Sequence, residues 1–320
     1  MSPGQNLAPN VIIAGVSKCG TTSLFRYLAR HPDVCPPAIK EINFFACARP
    51  TSDAPDLSGY AQYFARCADR SFAVYLEASP IYLSLTPSVA PSIKAALPGV
   101  RLIFVLRDPV ARFVSHYRYL QLKPGTVSDR AGIDAFVRQL TAPDGALSDE
   151  RLRAQEEPLQ ECVRSSLYAD NLQRYLDLFG ADRVFIGYLE HLERSPSSFM
   201  KALCAFLEIP GEMYDRFHFS VENRRRNTRH PAVNRLAEAL NLRFERVFNR
   251  YPVVRTSVRR VYFRLNPEVD ETAAHGLTPD ADAALKRYYA PSVHRLRRIM
   301  EHSYPAMSVP EWLATWPALE

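Results

Sequence analysis

The fold is decided by the stretch Val11-Ile-Ile-Ala-Gly-Val-Ser-Lys-Cys-Gly-Thr-Thr-Ser-Leu24. It begins as a short apolar run, which predicts a buried strand over 11–16. A loop bounded by Gly15 and Gly20 follows, and the apolar-periodic segment after it predicts a helix over 21–30. A strand, a tight loop and a helix start bring backbone N–H groups and the positive end of a helix dipole to one point. The stretch therefore predicts a site for a phosphate-like anion.

Lys18 adds a full positive charge to this loop. In a Walker A motif the lysine comes directly after the second glycine, but here Thr21 stands at that position and the lysine comes earlier. The spacing between Gly15 and Gly20 is the same as in a Walker A motif, but the lysine stands at a different position. We therefore interpret the segment as a phosphate loop with a task other than ATP hydrolysis. The alternative is an ordinary strand–turn–helix junction with an exposed lysine.

A second segment of the same kind follows later in the chain. Arg101-Leu-Ile-Phe-Val-Leu106 predicts another buried strand, Arg107 comes directly after it, and 110–120 is helical in pattern. Ser115 lies in that helical segment. Because arginine offers a bidentate fork and serine a neutral donor, the pair predicts a second phosphate site. The alternative is an arginine that pairs with the neighbouring Asp108.

These two segments together resemble the sulfotransferases that use 3′-phosphoadenosine-5′-phosphosulfate (PAPS). The likeness is closer to the bacterial and Golgi carbohydrate branch than to the cytosolic phenol branch. Three further stretches agree with it: Lys40-Glu-Ile-Asn-Phe-Phe45, Tyr75-Leu-Glu-Ala-Ser-Pro-Ile-Tyr82 and Glu190-His-Leu-Glu-Arg-Ser-Pro196. The first two are similar to segments of heparan sulfate sulfotransferases. The resemblance covers the chain from about Val11 to about Arg229.

The resemblance implies that PAPS is the co-substrate and that 3′-phosphoadenosine-5′-phosphate (PAP) is the product. The residues that carry over as its binding site are Lys18, Cys19, Gly20, Thr21, Thr22, Ser23, Arg107 and Ser115. Lys18 also gains a catalytic role, because the 5′-phosphate leaving group becomes more negative during transfer. A sulfuryl group carries less charge than a phosphoryl group, and the sequence has no metal-ligand spacing. We therefore expect no metal.

An acceptor hydroxyl needs a base, and the resemblance implies that role for Glu41. We expect the apolar Phe44 and Phe45 to exclude water around this carboxyl and so favour its action as a base. The alternative is a loop glutamate paired with Lys40.

Glu77 is the second candidate base and stands at the end of a strand predicted over 73–77. We favour a structural role for it, as the partner of Lys18 or Arg107. Ala78 follows it where the heparan sulfate enzymes have a lysine. This departure removes one cationic contact and weakens the case for a heparan-like acceptor.

The composition sets limits on partners and location. The chain has 320 residues, a hydrophobic content of 47% and a net charge of +6, which suits a polyanionic cofactor. A nucleic-acid partner is not expected, because no recognised binding motif accompanies the charge. The six cysteines are scattered, which predicts reduced thiols. Residues 1–10 lack a signal-peptide core and no apolar run reaches membrane-spanning length, which favours a bacterial enzyme or an excised catalytic domain. Together with the cysteines, this leads us to expect a cytoplasmic location.

The order of elements predicts an α/β fold, with a P-loop-type parallel sheet flanked by helices on both faces and a mainly helical C-terminal part. The remaining predicted strands are 101–106 and 183–188, and the remaining predicted helices are 87–97, 168–179, 196–207 and a C-terminal helix. That last helix starts at the N-cap Thr278, runs to Met300 and should kink or split at Pro291.

We interpret the whole chain, 1–320, as one domain. It consists of a PAPS-binding core over 11–229, a substrate-side insertion over 123–160 and a helical extension over 230–320. The insertion contains one amphipathic piece at 133–140, and its alternative is a merely tolerated surface segment. The resemblance also implies that a basic loop near 224–229 closes over the 3′-phosphate, and the alternative is a solvated basic face.

Three hypotheses follow. The first is a PAPS-dependent sulfotransferase acting on a hydroxyl of a carbohydrate, lipid-linked or natural-product acceptor. The second is a P-loop kinase or NTPase, which needs Mg²⁺ and usually a lysine directly after Gly20. The third is a non-catalytic nucleotide-binding protein on the same fold, which would tolerate the loss of Glu41. The residues name neither the acceptor nor the oligomeric state.

Overall fold

A five-stranded parallel sheet forms the centre of the molecule, in the order β2-β3-β1-β4-β5. The computed structural model describes residues 7–47, 55–122, 132–219, 227–228, 268–269 and 277–317. The strands of the sheet are β1 (Val11–Gly15), β2 (Val34–Cys35), β3 (Val74–Ala78), β4 (Arg101–Leu106) and β5 (Val184–Tyr188). A further short antiparallel pair joins β6 (Asn227–Thr228) to β7 (Glu268–Val269).

The central position of β1 follows from its apolar sequence. All five of its residues are buried, and Val11 pairs with both Leu76 of β3 and Arg101 of β4. A strand buried on both faces is what a parallel sheet covered by helices requires. The predicted parallel sheet is therefore confirmed.

Helices surround this sheet in the predicted alternation with the strands. They are α1 (Thr21–Leu28), α2 (Phe44–Cys47), α3 (Thr86–Ala96), α4 (Pro109–Leu122), α5 (Ile133–Leu140), α6 (Asp149–Arg153), α7 (Glu157–Arg164), α8 (Tyr168–Phe179), α9 (Leu189–Arg194), α10 (Pro196–Leu207), α11 (Pro279–Ser303) and α12 (Glu311–Thr315). Short 3-10 helices occur at Ser58–Cys67, Pro80–Leu83, Ala181–Arg183 and Glu212–Asp215.

The C-terminal helix α11 begins as predicted, because the Thr278 hydroxyl accepts from the N–H of Ala281 at 3.4 Å. It runs as one helix through Pro291, so the predicted split is not what the structure shows. Tyr289 and Val293 are buried on either side of the proline. Because proline has no N–H, Pro291 leaves one hydrogen bond of the helix unmade, and the packing of these two buried side chains offsets that loss.

The segment 132–160 is more closely tied to the core than a loose surface excursion. Its helix α5 coincides with the predicted amphipathic piece and buries Phe136, Val137 and Leu140. The Asp134 carboxylate also accepts from the N–H of Thr278 at 2.9 Å, at the start of α11. The substrate-side role of 123–160 stays a prediction, and residues 123–131 lie outside the described part of the chain.

The cysteines correct one prediction. Cys35, at the end of β2, and Cys67, at the end of the 3-10 helix Ser58–Cys67, form a disulfide with their Cα atoms 6.1 Å apart. The prediction of reduced thiols is wrong for this pair, because a sequence separation of 32 residues hides their proximity. Cys19, Cys162 and Cys204 are buried thiols.

Two other predictions concern membrane-spanning segments and the basic loop that is expected to close over the 3′-phosphate. Across the described residues, none of the helices combines the length and the apolar character needed to cross a membrane. The basic loop near 224–229, apart from Asn227 and Thr228, lies outside the described residues.

Candidate active site

The loop between β1 and α1 has the geometry of an anion cradle. Gly20 is the N-cap of α1 and has a φ of 79°, in the left-handed region that favours glycine. A Cβ at this position would lie 2.6 Å from Cδ1 of Leu189. The N–H groups of Thr21, Thr22 and Ser23 open the helix, ahead of its first hydrogen bond, which runs from the N–H of Leu24 to the carbonyl of Gly20 at 3.1 Å. The sequence thus places a row of backbone donors at the carboxyl edge of the sheet.

The ammonium group of Lys18 points from this loop toward α4. Its Nζ lies 3.4 Å from the centroid of the Tyr119 ring. Contacts between an ammonium group and an aromatic face are favourable by about 0.5–2 kcal/mol. Sequence analysis missed Tyr119, although its position one helical turn after Ser115 was the available signal.

Cys19 anchors the loop in the core of the protein. Its side chain is buried, and its N–H donates to the carbonyl of Val16 at 3.1 Å. Burial raises the pKa of Cys19 to about 12, and the nearby guanidinium groups of Arg112 and Arg107 oppose this rise. The thiol is therefore neutral at physiological pH.

Arg107 directly follows β4, and its carbonyl accepts from the Tyr168 hydroxyl at 2.9 Å. The Asp108 carboxylate accepts from the N–H of Ala111 at 2.7 Å and so caps the start of α4. The N–H of Asp108 donates to Oε1 of Glu190 at 3.1 Å. Burial raises the pKa of Asp108. These contacts fix the backbone from which the Arg107 side chain projects, while Asp108 serves the helix start.

Arg107 lies between β4 and α4, and Ser115 lies in the second turn of α4. Both side chains are partly exposed. The neighbouring Arg112 of the same motif is instead fully buried: its Nε donates to Oγ of Ser166 at 2.5 Å and its Nη2 donates to the Cys162 carbonyl. Arg112 is therefore a structural residue that ties α4 to α7 and to the start of α8.

Glu41 lies on the segment between β2 and α2. Its side chain is 54% exposed and forms an ion pair with Lys40, with 2.5 Å between Oε1 and Nζ. The rings of Phe44 and Phe45 pack on Tyr60, with centroid distances of 4.3 and 6.1 Å. The two phenylalanines therefore turn toward the core and leave Glu41 open to water, contrary to the expectation that they exclude water from it. The ion pair between Glu41 and Lys40, which was the alternative interpretation, is present.

Glu77 is buried within β3 rather than exposed at its end. Its carboxylate accepts from the hydroxyls of Ser79 at 2.7 Å and Tyr82 at 2.6 Å, and also from the Tyr60 hydroxyl. Burial raises the pKa of Glu77, and the three hydroxyl donors oppose the rise. Its partners are thus hydroxyl groups, and the predicted pairing with Lys18 or Arg107 is wrong.

The structure therefore brings Lys18, the start of α1, Arg107 and Ser115 to one edge of the sheet, with Glu41 on the adjoining segment after β2. Within the described residues, no group of three or more His, Cys, Asp and Glu side chains is placed to hold a metal ion.

Comparison with known proteins defines the class. The protein-family model of the sulfotransferase domain matches residues 8–250, which is most of the chain. The protein therefore belongs to the sulfotransferase family.

Particular relatives agree with this membership. Human heparan sulfate glucosamine 3-O-sulfotransferase 6 is 30% identical over 233 residues, covering 68% of this chain and 58% of that protein. The bifunctional heparan sulfate N-deacetylase/N-sulfotransferase 1 of Caenorhabditis briggsae is 25% identical over 215 residues, covering 66% of this chain and 24% of that protein. The chain thus spans less than two thirds of the length of these two relatives.

A solved structure extends the likeness over the whole fold. The crystal structure of a sulfotransferase from Alicyclobacillus acidocaldarius superposes with a TM-score of 0.62 at 25% identity, covering 93% of this chain and 98% of the other. The parallel sheet and the helical C-terminal part therefore follow a sulfotransferase architecture.

Proposed function

We propose that this protein transfers the sulfuryl group of PAPS to a hydroxyl of a carbohydrate, lipid-linked or natural-product acceptor. The observation that supports this proposal is that β1 and β4 are neighbours in the sheet. The loop with Lys18 follows the first strand and Arg107 follows the second. Two cationic sites at the carboxyl ends of adjacent parallel strands suit a nucleotide with phosphates at both ends.

The loop and the start of α1 would hold the 5′-phosphosulfate. The N–H groups of Thr21, Thr22 and Ser23 and the helix dipole favour this anion. During transfer the acceptor oxygen bonds to sulfur, the bond from sulfur to the bridging phosphate oxygen breaks, and PAP leaves. Lys18, released from the Tyr119 ring, would stabilise the negative charge that develops on the 5′-phosphate.

Arg107 and Ser115 would hold the 3′-phosphate. The guanidinium group of Arg107 supplies a charged fork, and the Ser115 hydroxyl supplies a neutral donor. Arg107 lies between β4 and α4 and Ser115 lies in the second turn of that helix, which supports this pairing. In the same proposal Cys19 and Gly20 shape the loop, the first through its backbone and the second through its left-handed φ.

Glu41 would accept the proton of the acceptor hydroxyl. Its partly exposed carboxylate is accessible to an acceptor that arrives from solvent. A bound acceptor would exclude water from the carboxylate and compete with Lys40 for it. We also propose that the segment 123–160 contributes to the acceptor side within a single-domain enzyme.

Calorimetry tests the donor. Titration with PAP and, separately, with ATP and Mg²⁺ should show clearly tighter binding of PAP, because the Arg107 site needs a 3′-phosphate to be filled. Tighter binding of ATP with Mg²⁺ would support the kinase hypothesis and contradict the proposal. A screen of acceptors with ³⁵S-labelled PAPS would then identify the hydroxyl that is sulfated.

A further inference from the structure

The segment that carries Glu41 is held onto the end of β3 by alternate backbone N–H groups. The pairs are Glu41 N with Ala78 O at 3.0 Å, Asn43 N with Ser79 Oγ at 3.0 Å, and Phe45 N with Tyr82 OH at 3.2 Å. One acceptor is a backbone carbonyl and the other two are side-chain hydroxyls. The place of this segment therefore depends on how those two hydroxyls are oriented.

The backbone of the segment needs such support. Glu41 has a φ of 65° and Asn43 a φ of 55°. A left-handed conformation costs a residue with a side chain on the order of 1–2 kcal/mol. Strained backbone of this kind persists only where the surroundings fix it. The hydrogen bonds from the segment to the β3 end supply that constraint.

Glu77 fixes the direction of both hydroxyls. Ser79 and Tyr82 each donate their single proton to its Oε1, and all three side chains are fully buried. A hydroxyl has one proton and two lone pairs. Because each proton is directed at the carboxylate, the lone pairs remain to accept the N–H groups of Asn43 and Phe45. A carboxyl oxygen that carries no proton only accepts, so Oε1 of Glu77 enforces this polarity.

We propose that Glu77 is a positioning residue that sets the place of Glu41 through the hydroxyls of Ser79 and Tyr82. The inference rests on the proposed role of Glu41 as the base. Glu77 itself is fully buried, so in this proposal it acts through the two hydroxyls and not by binding a substrate. Its effect on the reaction is to keep the segment over the end of β3 in the one arrangement that the hydrogen bonds allow.

Tyr60 offers a matched control. Its hydroxyl also donates to Glu77, and its side chain is also fully buried. The N–H groups of Asn43 and Phe45, however, go to Ser79 and Tyr82. Tyr60→Phe therefore removes one buried phenol hydroxyl from Glu77, as Tyr82→Phe does, but leaves the hydrogen bonds of the segment in place.

The experiment compares Tyr82→Phe with Tyr60→Phe in the full-length protein. Tyr82→Phe should lower kcat by roughly 10- to 100-fold, because a small displacement of a reacting group has effects of this size, while PAP affinity stays unchanged. Hydrogen exchange at the Phe45 amide, followed by NMR, should become faster. Tyr60→Phe should retain kcat and the exchange rate, although both variants lose thermal stability.

Two results would overturn the inference: equal losses of kcat in the two variants, or unchanged exchange at the Phe45 amide in Tyr82→Phe. A Glu41→Gln background separates this inference from the proposed function. Transfer is already abolished there, so the readout in that background is exchange at the Phe45 amide, which Tyr82→Phe should still accelerate. Full activity of Glu41→Gln alone would remove the base assignment, and the Phe45 exchange rate would still decide whether Tyr82 holds the segment.

Discussion

The Nζ of Lys18 lies 3.4 Å from the centroid of the Tyr119 ring. This contact joins the loop after β1 to α4, the helix that also carries Ser115. Two segments that are far apart in the sequence are thereby in direct contact at the carboxyl edge of the sheet. The contact places the cation of the first segment beside the helix of the second, as binding of one nucleotide to both would require.

Lys18→Met should lower kcat by about 100- to 1,000-fold, the range expected when a group that stabilises developing charge is removed. Initial rates with labelled PAPS measure the effect. Lys94→Met is the matched control, because the Nζ of Lys94 also lies over an aromatic ring, 5.1 Å from the centroid of Phe179, but on α3. A similar loss of activity in both variants would count against a role for Lys18 in transfer.

Arg107→Ala should weaken PAP binding by roughly 2–5 kcal/mol, the cost of truncating one partner of a charge-assisted pair. Binding of adenosine 5′-phosphate, which lacks the 3′-phosphate, should change far less. Calorimetry with both nucleotides measures the difference. Arg101→Ala is the control, because Arg101 opens the same strand β4 and pairs with Glu208. An equal loss for both nucleotides would show that Arg107 does not recognise the 3′-phosphate.

Glu41→Gln should abolish transfer while PAP affinity stays close to that of the wild type, because the amide keeps the shape of the side chain but cannot accept the proton. Rates and calorimetry on the same preparation separate the two effects. Glu208→Gln is the matched control: Glu208 is also exposed and ion-paired and also has a positive φ, of 59°. Wild-type activity of Glu41→Gln would exclude Glu41 as the base.

The Cys35–Cys67 disulfide should stabilise the fold by about 2–4 kcal/mol, because it closes a loop between residues that are 32 positions apart. Chemical unfolding of the double variant Cys35→Ala/Cys67→Ala measures this loss. A reductant should lower the stability of the wild type and leave that of the double variant unchanged. If the reductant also destabilises the double variant, its effect does not come from the Cys35–Cys67 disulfide.

Much of the fold could be predicted because its signals are local. The apolar runs of β1 and β4 and the N-cap Thr278 are readable over a few residues. The strand β2 was missed because the two residues Val34 and Cys35 are too short to show a period. Its disulfide to Cys67 was missed because the pairing depends on tertiary proximity.

For the site, the positions of Lys18 and Arg107 after neighbouring strands could be predicted, since parallel strands end at one edge of a sheet. Their roles toward a nucleotide stay predictions. The roles of Arg112 and Glu77 were not readable, because burial and hydroxyl partners depend on which helices and strands pack together. The open position of Glu41 likewise depends on where its phenylalanine neighbours turn.

A crystal structure with PAP bound would show whether the Lys18 and Arg107 sites hold the two ends of one nucleotide. We expect one nucleotide that spans β1 and β4. Its 5′-phosphate should contact Nζ of Lys18 and the N–H groups that open α1, and its 3′-phosphate should contact Arg107 and Oγ of Ser115. A nucleotide bound with the Lys18 and Arg107 side chains directed into separate cavities would contradict the account.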